Sequence, residues 1–388
     1  MNHLDLAGIC PAPVGSLYIG NPSNNFVFAL SGTASGYTIA RLSLTIAAGV
    51  FLLALVSVLL VIPIRRGYTP QYNLPESIAS LEQFSLGGRR HYVLIRGKEK
   101  QNPILLFLHG GPGMPTMYLA HDFQRDLERN FVVVQWDRCG AGKSYAAALS
   151  LPNLSVSQEI NDTIELIDQL CTRFHQKKIY LVGFSYGTYL GILVAQRVPE
   201  WLHAYVGIGQ VACSEGENRQ IQDEWLLKVA SRARDREAMD ELAGKKTLDR
   251  EKWLFKYGAE IHSAYSWWPL LWSGIRSPEY TFRDIANVKN GVQFTASHLR
   301  YDAIKGSILD NVSSIRIPVY FFSGRFDYTD PTICTIHLFN RLDAPIKRMV
   351  WFEHSAHFVF FEEPEQFASA MKRVADETRS WESDQRSH

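Results

Sequence analysis

The sequence has no surplus of charge of either sign: its 388 residues carry 40 Lys and Arg against 39 Asp and Glu. That balance excludes the basic stripe by which a nucleic-acid binder holds phosphates, so no nucleic-acid partner is expected. Cysteine is also scarce. The five present (Cys10, Cys139, Cys171, Cys213, Cys334) are odd in number, scattered and without CxxC spacing. They read as small apolar residues, not as a metal site or a disulfide framework. The chain has no HExxH and no tandem repeat, and Gly142-Lys143-Ser144 lacks the earlier glycine that a phosphate-binding loop needs, since Asp137 stands there. With 46% apolar residues, the chain is globular and long enough to bury a core without cross-links.

One long hydrophobic run is present. Leu42–Ile64 is free of charge over 23 residues, and as a helix it would measure about 34 Å at 1.5 Å per residue, against a hydrocarbon core of about 30 Å. Arg65 and Arg66 follow with no cleavage signature, so the run reads as one transmembrane helix and the protein as a single-pass membrane protein, with the membrane itself a partner. Arg41 before and two arginines after leave the side of the remaining chain open. The expected division is a poorly ordered tail over 1–41, the helix at 42–64, a first core segment over 65–212, a helical cap over 213–300 and a second core segment over 301–388.

Short apolar runs at 92–95, 104–108, 131–136, 179–182, 204–208, 319–322 and 349–352 suit strands buried on both faces. Helical periods lie between them: Ile160, Ile164, Ile167, Leu170 and Phe174 form one stripe, and Pro364 is placed to open a helix carrying Phe367, Met371 and Val374. This alternation predicts an α/β fold with a mainly parallel sheet. It breaks between 213 and 300, where five of the nine tryptophans fall within 225–272. A helical cap with its own aromatic core is expected there, and laid over the strand ends it would wall a substrate pocket.

After the strand at 179–182 comes Gly183-Phe184-Ser185-Tyr186-Gly187, and then an apolar helical run. This is G-x-S-x-G in strand–turn–helix context, which presents a serine Oγ above the sheet beside a helix N-terminus. His109-Gly110-Gly111-Pro112-Gly113 follows the strand at 104–108 and suits the second half of an oxyanion hole. Gly111 and Tyr186 are the expected N–H donors. A serine needs a base, and the base needs an orienting carboxylate, in the chain order Ser, Asp/Glu, His. Asp327 in Ser323-Gly324-Arg325-Phe326-Asp327 is a candidate acid with Asp330 as its rival. His354 and His357 are rival bases that periodicity alone does not separate.

The ordered set HGGPG, Trp-Asp-x-x-Gly-x-Gly-x-Ser, the serine elbow, GRFD and SAHF before Glu-Glu-Pro resembles the α/β-hydrolase group around prolyl iminopeptidases. The resemblance covers about 90–380. It implies an α/β-hydrolase fold with Ser185 as nucleophile, Asp327 as acid and His357 as base. It implies no metal and no organic cofactor, and an activity that removes N-terminal residues, preferably proline, from peptides. Two departures stand out. Asp137-Arg138-Cys139-Gly140 replaces the usual Asp-Gln-Arg-Gly, and Tyr186 replaces a common tryptophan. The family's cap carboxylates hold the substrate ammonium; by location the candidates here are Glu215, Glu217 and Glu224, with Trp267 and Trp268 as apolar substrate contacts.

The expected function is therefore a membrane-anchored serine hydrolase, an aminopeptidase acting on short peptide or amide substrates through an acyl-enzyme. An esterase or lipase acting on ester substrates, and a catalytically silent binding module of the same fold, are the alternatives.

Overall fold

The computed structural model describes residues 33–64, 66–148, 154–264, 266–303 and 305–386, with the backbone alone at 33–40, 58–64 and 147. By its contacts the chain divides into a unit that ends at Leu60 and a body that begins at Val61.

Helix α1, Thr33–Ile64, lies in the first unit as far as Leu60. Of the tail expected over 1–41, residues 1–32 lie outside the described residues and 33–41 are helical. The expected transmembrane helix is corrected: among the described residues, no helix is long and apolar enough to cross a membrane. The side chains described in α1 run from Arg41 to Ser57. The anchor, the membrane partner and the single-pass location all rested on this helix and are withdrawn with it.

The body is one sheet with a hydrophobic core on each face. Eight strands form one sheet: β1 Ile78–Leu86, β2 Arg89–Gly97, β3 Ile104–Leu108, β4 Val132–Asp137, β5 Ile179–Phe184, β6 Leu202–Ile208, β7 Val319–Gly324 and β8 Lys347–Phe352. Their order is β1-β2-β4-β3-β5-β6-β7-β8. The pairs β1–β2 and β2–β4 are antiparallel; from β4 to β8 every pairing is parallel. The central strands are apolar on both faces because both faces are covered. In β3, Ile104, Leu106 and Leu108 enter one core cluster while Leu105 and Phe107 enter the other, the two-residue period of a strand splitting one run between two cores.

The seven expected strands all exist; the strand at 104–108 matches at both ends, and no other end is shifted by more than three residues. The eighth, β1, was not expected. It is a half-buried edge strand in which Ser80, Glu82 and Gln83 interrupt the apolar run, so its sequence lacks the signal of a doubly covered strand.

Helix α2, Val156–Phe174, buries Ile160, Ile167 and Leu170, and its N-terminus is capped by Ser155, which accepts from Gln158 N. Helix α3, Tyr186–Arg197, is buried along almost its whole length, as its uniformly apolar sequence requires. Between β6 and β7 the chain leaves the sheet and builds a helical cap: α4 Glu215–Ala233, α5 Arg236–Leu242, α6 Arg250–Lys256, α7 Trp268–Arg276 and α8 Phe282–His298. Leu226, Ala230, Ala238, Trp253, Leu254 and Ala259 give it a small core of its own. Not all of the aromatic cluster is core: Trp253 is buried, whereas Trp267, Trp268 and Trp272 are 40%, 70% and 56% exposed. Helix α9, Thr332–Arg341, follows β7. Helix α10, Pro364–Arg386, buries Phe367, Met371 and Val374 against the sheet.

One cysteine expectation is also corrected. Cys213 and Cys334 form a disulfide with their Cα atoms 5.4 Å apart, tying the residues just before α4 to α9. The two lie 121 positions apart in sequence, so no local spacing announces the pair. Cys139 and Cys171 are free, and Cys10 lies outside the described residues. Closing so long a loop stabilises the body mainly by restricting the unfolded chain. Cys213→Ser with Cys334→Ser should therefore lose about 2–4 kcal/mol in denaturant unfolding. An unchanged midpoint would show that the bridge contributes nothing.

Candidate active site

The loops that carry the candidate residues all leave the C-terminal ends of parallel strands, where open α/β sheets bind their ligands. At the end of β5 the chain turns into α3 through Ser185, one of three non-glycine residues at positive φ among the described residues (φ 51°). This conformation is costly for a residue with a Cβ, and the surroundings hold it in place. Ser185 N donates to Ile208 O at 2.9 Å, and Thr188 N donates to Ser185 O at 2.7 Å. The flanking glycines are required by close approach: a Cβ on Gly183 would strike the Gly187 carbonyl, and one on Gly187 would strike the carbonyls of Leu108 and His109. The elbow is thus pressed directly onto the end of β3.

The loop after β3 is pinned from beneath. Arg138 is buried and its guanidinium donates to His109 O at 2.8 Å and to Gly110 O at 3.3 Å; its backbone N–H donates to His109 Nε2 at 3.2 Å. Its charge is met by Glu159 of α2, Nε to Oε1 3.5 Å, and Tyr186 OH donates to Glu159 Oε2 at 2.6 Å. Arg138, Glu159 and Tyr186 therefore couple the glycine loop, α2 and the first residue of α3. Burial and the neighbouring guanidinium push His109 well below its ordinary pKa, so it stands neutral and accepts the Arg138 N–H. Gly111, at φ 112°, has no room for a Cβ against the amides of Gly113 and Met114.

Asp327 and His357 meet at the far side of the elbow. His357 Nδ1 lies 2.9 Å from Asp327 Oδ2, and both side chains are almost fully buried. The other oxygen of Asp327 accepts the backbone N–H groups of Thr329 and Asp330, each at 3.0 Å, which fixes the carboxylate. Gly209 makes room for the pair, since a Cβ there would meet the His357 ring at 2.6 Å. The loop bearing His357 is held by the Glu-Glu-Pro segment: Glu362 accepts from Ala356 N at 2.8 Å and Glu363 from Ser355 Oγ at 2.5 Å. His354, the rival base, is exposed on that loop, and its backbone N–H is bound to Glu363.

Sequence reasoning named Asp330 only as a rival to Asp327 for the acid, and missed Glu260 altogether. Asp330 Oδ2 accepts the Ser185 hydroxyl at 3.2 Å and lies 3.8 Å from His357 Nε2. Glu260, in the cap, accepts the His357 backbone N–H through its own backbone carbonyl at 3.0 Å, and burial pushes its carboxyl up to about 7. Burial alone would lower the His357 pKa; the carboxylates of Asp327, Glu260 and Asp330 outweigh it and raise the ring to about 9. Asp330 lies three residues after Asp327, and the loop turns both carboxylates inward, so the two are partners at the histidine and not alternatives. Glu260 offers no local sequence signal.

The cap residues expected to contact substrate are engaged elsewhere or open. Glu215 is exposed and pairs with Arg219. Glu217 is the N3 partner of Ser214 in the capping box of α4, and Glu224 is exposed and accepts from Gln220 at 3.1 Å. Trp268 is largely exposed, while Trp267 packs on Phe255 and joins Met114, Tyr118, Leu270, Ile285 and Val288 around an apolar cavity of about 550 Å³. Among the described residues no cluster of His, Cys, Asp and Glu could hold a metal ion.

Comparison with known proteins agrees with this architecture. The model of the alpha/beta hydrolase fold family matches residues 103–364. The chain is 31% identical over 315 residues to "Probable aminopeptidase YbaC" of Bacillus subtilis, covering 78% of this chain and 98% of that protein. It is 23% identical to a proline iminopeptidase of Saccharolobus solfataricus, covering 75% and 90%. Among solved structures, the proline iminopeptidase of Mycobacterium smegmatis superposes with a TM-score of 0.58 at 18% identity, over 78% of this chain and 99% of that one. The naproxen esterase of Bacillus subtilis gives 0.50 at 14%, over 77% and 92%. The chain belongs to the alpha/beta hydrolase fold family. Within it, the chain is related at low identity to the proline iminopeptidase branch.

The buried Arg138–Glu159 pair generates a direct prediction. Arg138→Met strands Glu159 without its cation and should cost about 3–5 kcal/mol, whereas adding Glu159→Gln should recover much of that loss. Chemical denaturation of the three variants checks it; equal losses for the single and double variants would show that the pair is not what fixes the loop.

Proposed function

We propose that the chain is a serine hydrolase that releases N-terminal residues from short peptides or amino-acid amides through an acyl-enzyme. The observation that carries this reading is the buried His357–Asp327 contact beside a serine held at positive φ between a strand and a helix N-terminus. Asp327 keeps the Nδ1 proton of His357 in place and leaves Nε2 facing the Ser185 side. His357 takes the Ser185 proton, Oγ attacks the scissile carbonyl, and the resulting oxyanion is received by the N–H groups of Gly111 and Tyr186. Return of the proton to the leaving amine frees it, and water then repeats the sequence on the ester. Support for an amino-terminal substrate comes from the name of the Bacillus subtilis relative, which aligns over almost its whole length.

A second reading, hydrolysis of apolar esters, is favoured by the apolar cavity between the cap and Met114, where an acyl chain or aromatic group would be desolvated. A panel of Pro-, Ala- and Leu-arylamides set beside short- and long-chain aryl esters separates the two. Faster cleavage of arylamides with a free amino group supports the first; ester turnover with negligible arylamide turnover supports the second.

The triad makes its own prediction. Labelling by a fluorophosphonate probe should be lost in Ser185→Ala. Turnover should fall at least a thousandfold in Ser185→Ala and His357→Ala, and by less than about twofold in His354→Ala. Retained labelling in Ser185→Ala, or a silent His354→Ala with an active His357→Ala, would contradict the assignment.

A further inference from the structure

The contact at the nucleophile is unusual in one respect: the Ser185 hydroxyl is bound by a carboxylate. Asp330 Oδ2 accepts it at 3.2 Å, and the same oxygen is the one that lies 3.8 Å from His357 Nε2. The position is built. Asp330 N donates to Asp327 Oδ1 at 3.0 Å, so one loop sets both carboxylates at once, and Asn218 of α4 reaches the second oxygen, Oδ1, at 3.4 Å. His357 is thus bracketed, with Asp327 on Nδ1 and Asp330 on the Nε2 side.

We propose that Asp330 is a further catalytic residue of this site, holding the Ser185 hydroxyl in the free enzyme and facing the imidazolium at Nε2 once the proton has moved. This inference rests on the serine-hydrolase reading above. In the acylation step the Oγ–H proton passes to His357 Nε2 while the Oγ electron pair forms the bond to the carbonyl carbon, and the carbonyl π pair moves onto oxygen. When the tetrahedral species collapses, the bond to the leaving group breaks and the Nε2 proton goes to that group. Asp330 gains and loses no proton in this sequence. Its negative charge stabilises the transient cation, and it must release the hydroxyl for attack to occur.

The charged surroundings fix the sign of the pH effect. The groups facing His357 are Asp327 and Asp330 from the loop after β7 and Glu260 from the cap. Those facing Asp330 are His357, Asp327, Ser185 and Asn218, with Tyr301 also within electrostatic range. Burial raises the Asp330 carboxyl to about 6 against the pull of His357, while His357 stands at about 9. Between these values the pair is carboxylate and imidazolium. The base must be neutral to act, so kcat/KM rises as pH climbs through the histidine pKa. Every carboxylate removed from its surroundings moves that limb to lower pH.

Asp330→Asn keeps the shape and an oxygen for the hydroxyl but removes the charge. With phenyl acetate as substrate, which has no titrating group of its own, the acid limb of kcat/KM should move down by about one pH unit or more, the size expected for loss of an opposite charge at this range. The alkaline plateau should fall by roughly threefold to tenfold as the imidazolium loses its partner. Asp330→Glu should return the limb towards that of the native enzyme. Asp330→Ser, smaller and also uncharged, should show the same shift as Asp330→Asn and covers the case in which Asn disturbs folding. An active native enzyme whose limb stays in place in both neutral variants overturns the role of Asp330 alone. A native chain that neither turns over phenyl acetate nor takes the fluorophosphonate label overturns the hydrolase reading and this inference with it.

Discussion

The backbone at Ser185 is the constraint around which the rest of the site is arranged. A residue with a Cβ is held at positive φ because it must end one buried strand and begin one buried helix without any intervening loop. That geometry stands only where the neighbours leave no alternative. Here the glycines at 183 and 187 let the elbow press against the end of β3, and the buried Arg138–Glu159–Tyr186 group fastens the loop that lies over it. The strain is local and the restraint is spread over four elements. The Oγ and the helix N-terminus are therefore presented in a fixed relation before any substrate arrives, which is the condition for electrostatic preorganisation.

Around that point the charge distribution is unsymmetrical. One imidazole is surrounded by carboxylates from two parts of the chain, and the buried guanidinium of Arg138 is spent on the glycine loop beneath. Burial works against the charged form of the ring and the carboxylates work for it, with the carboxylates prevailing. The cap takes part directly, since the Glu260 carbonyl receives the His357 backbone N–H and its carboxyl group raises the ring pKa. The cap is therefore both a wall of the apolar cavity and a contributor to the field at the base. The Cys213–Cys334 bridge joins the entry of the cap to the helix that follows the Asp327–Asp330 loop, linking those two contributions covalently.

How much of this was legible in the sequence follows from the range of each interaction. Strands buried on both faces write themselves as apolar runs, and all seven of those expected exist, whereas β1, an edge strand with polar residues along it, left no such trace. The elbow was legible because its glycines and serine are adjacent. The acid–base partners were narrowed to two pairs, and in the structure Asp327 and His357 face each other while Asp330 turns to Ser185 and His354 to solvent. The disulfide and Glu260 depend on residues brought together only by the complete fold, which no local pattern encodes. The carboxylates sought in α4 followed a family resemblance by location, and their polar bonds in the structure are local to that helix. The charge-free run at 42–64 was read as a span from its length, its lack of charge and the missing cleavage signature, and no described helix proves long and apolar enough to cross a membrane.

The central claim is that Ser185, His357 and the amides of Gly111 and Tyr186 converge on one tetrahedral centre. The most direct measurement is a crystal structure of the chain after reaction with a small phosphonofluoridate. The account predicts a single adduct with phosphorus bonded to Ser185 Oγ, its free oxygen within hydrogen-bond distance of the Gly111 and Tyr186 N–H groups, and His357 Nε2 turned to the substituted oxygen. An adduct on another residue, or a phosphoryl oxygen directed to solvent with those amides unoccupied, would contradict it.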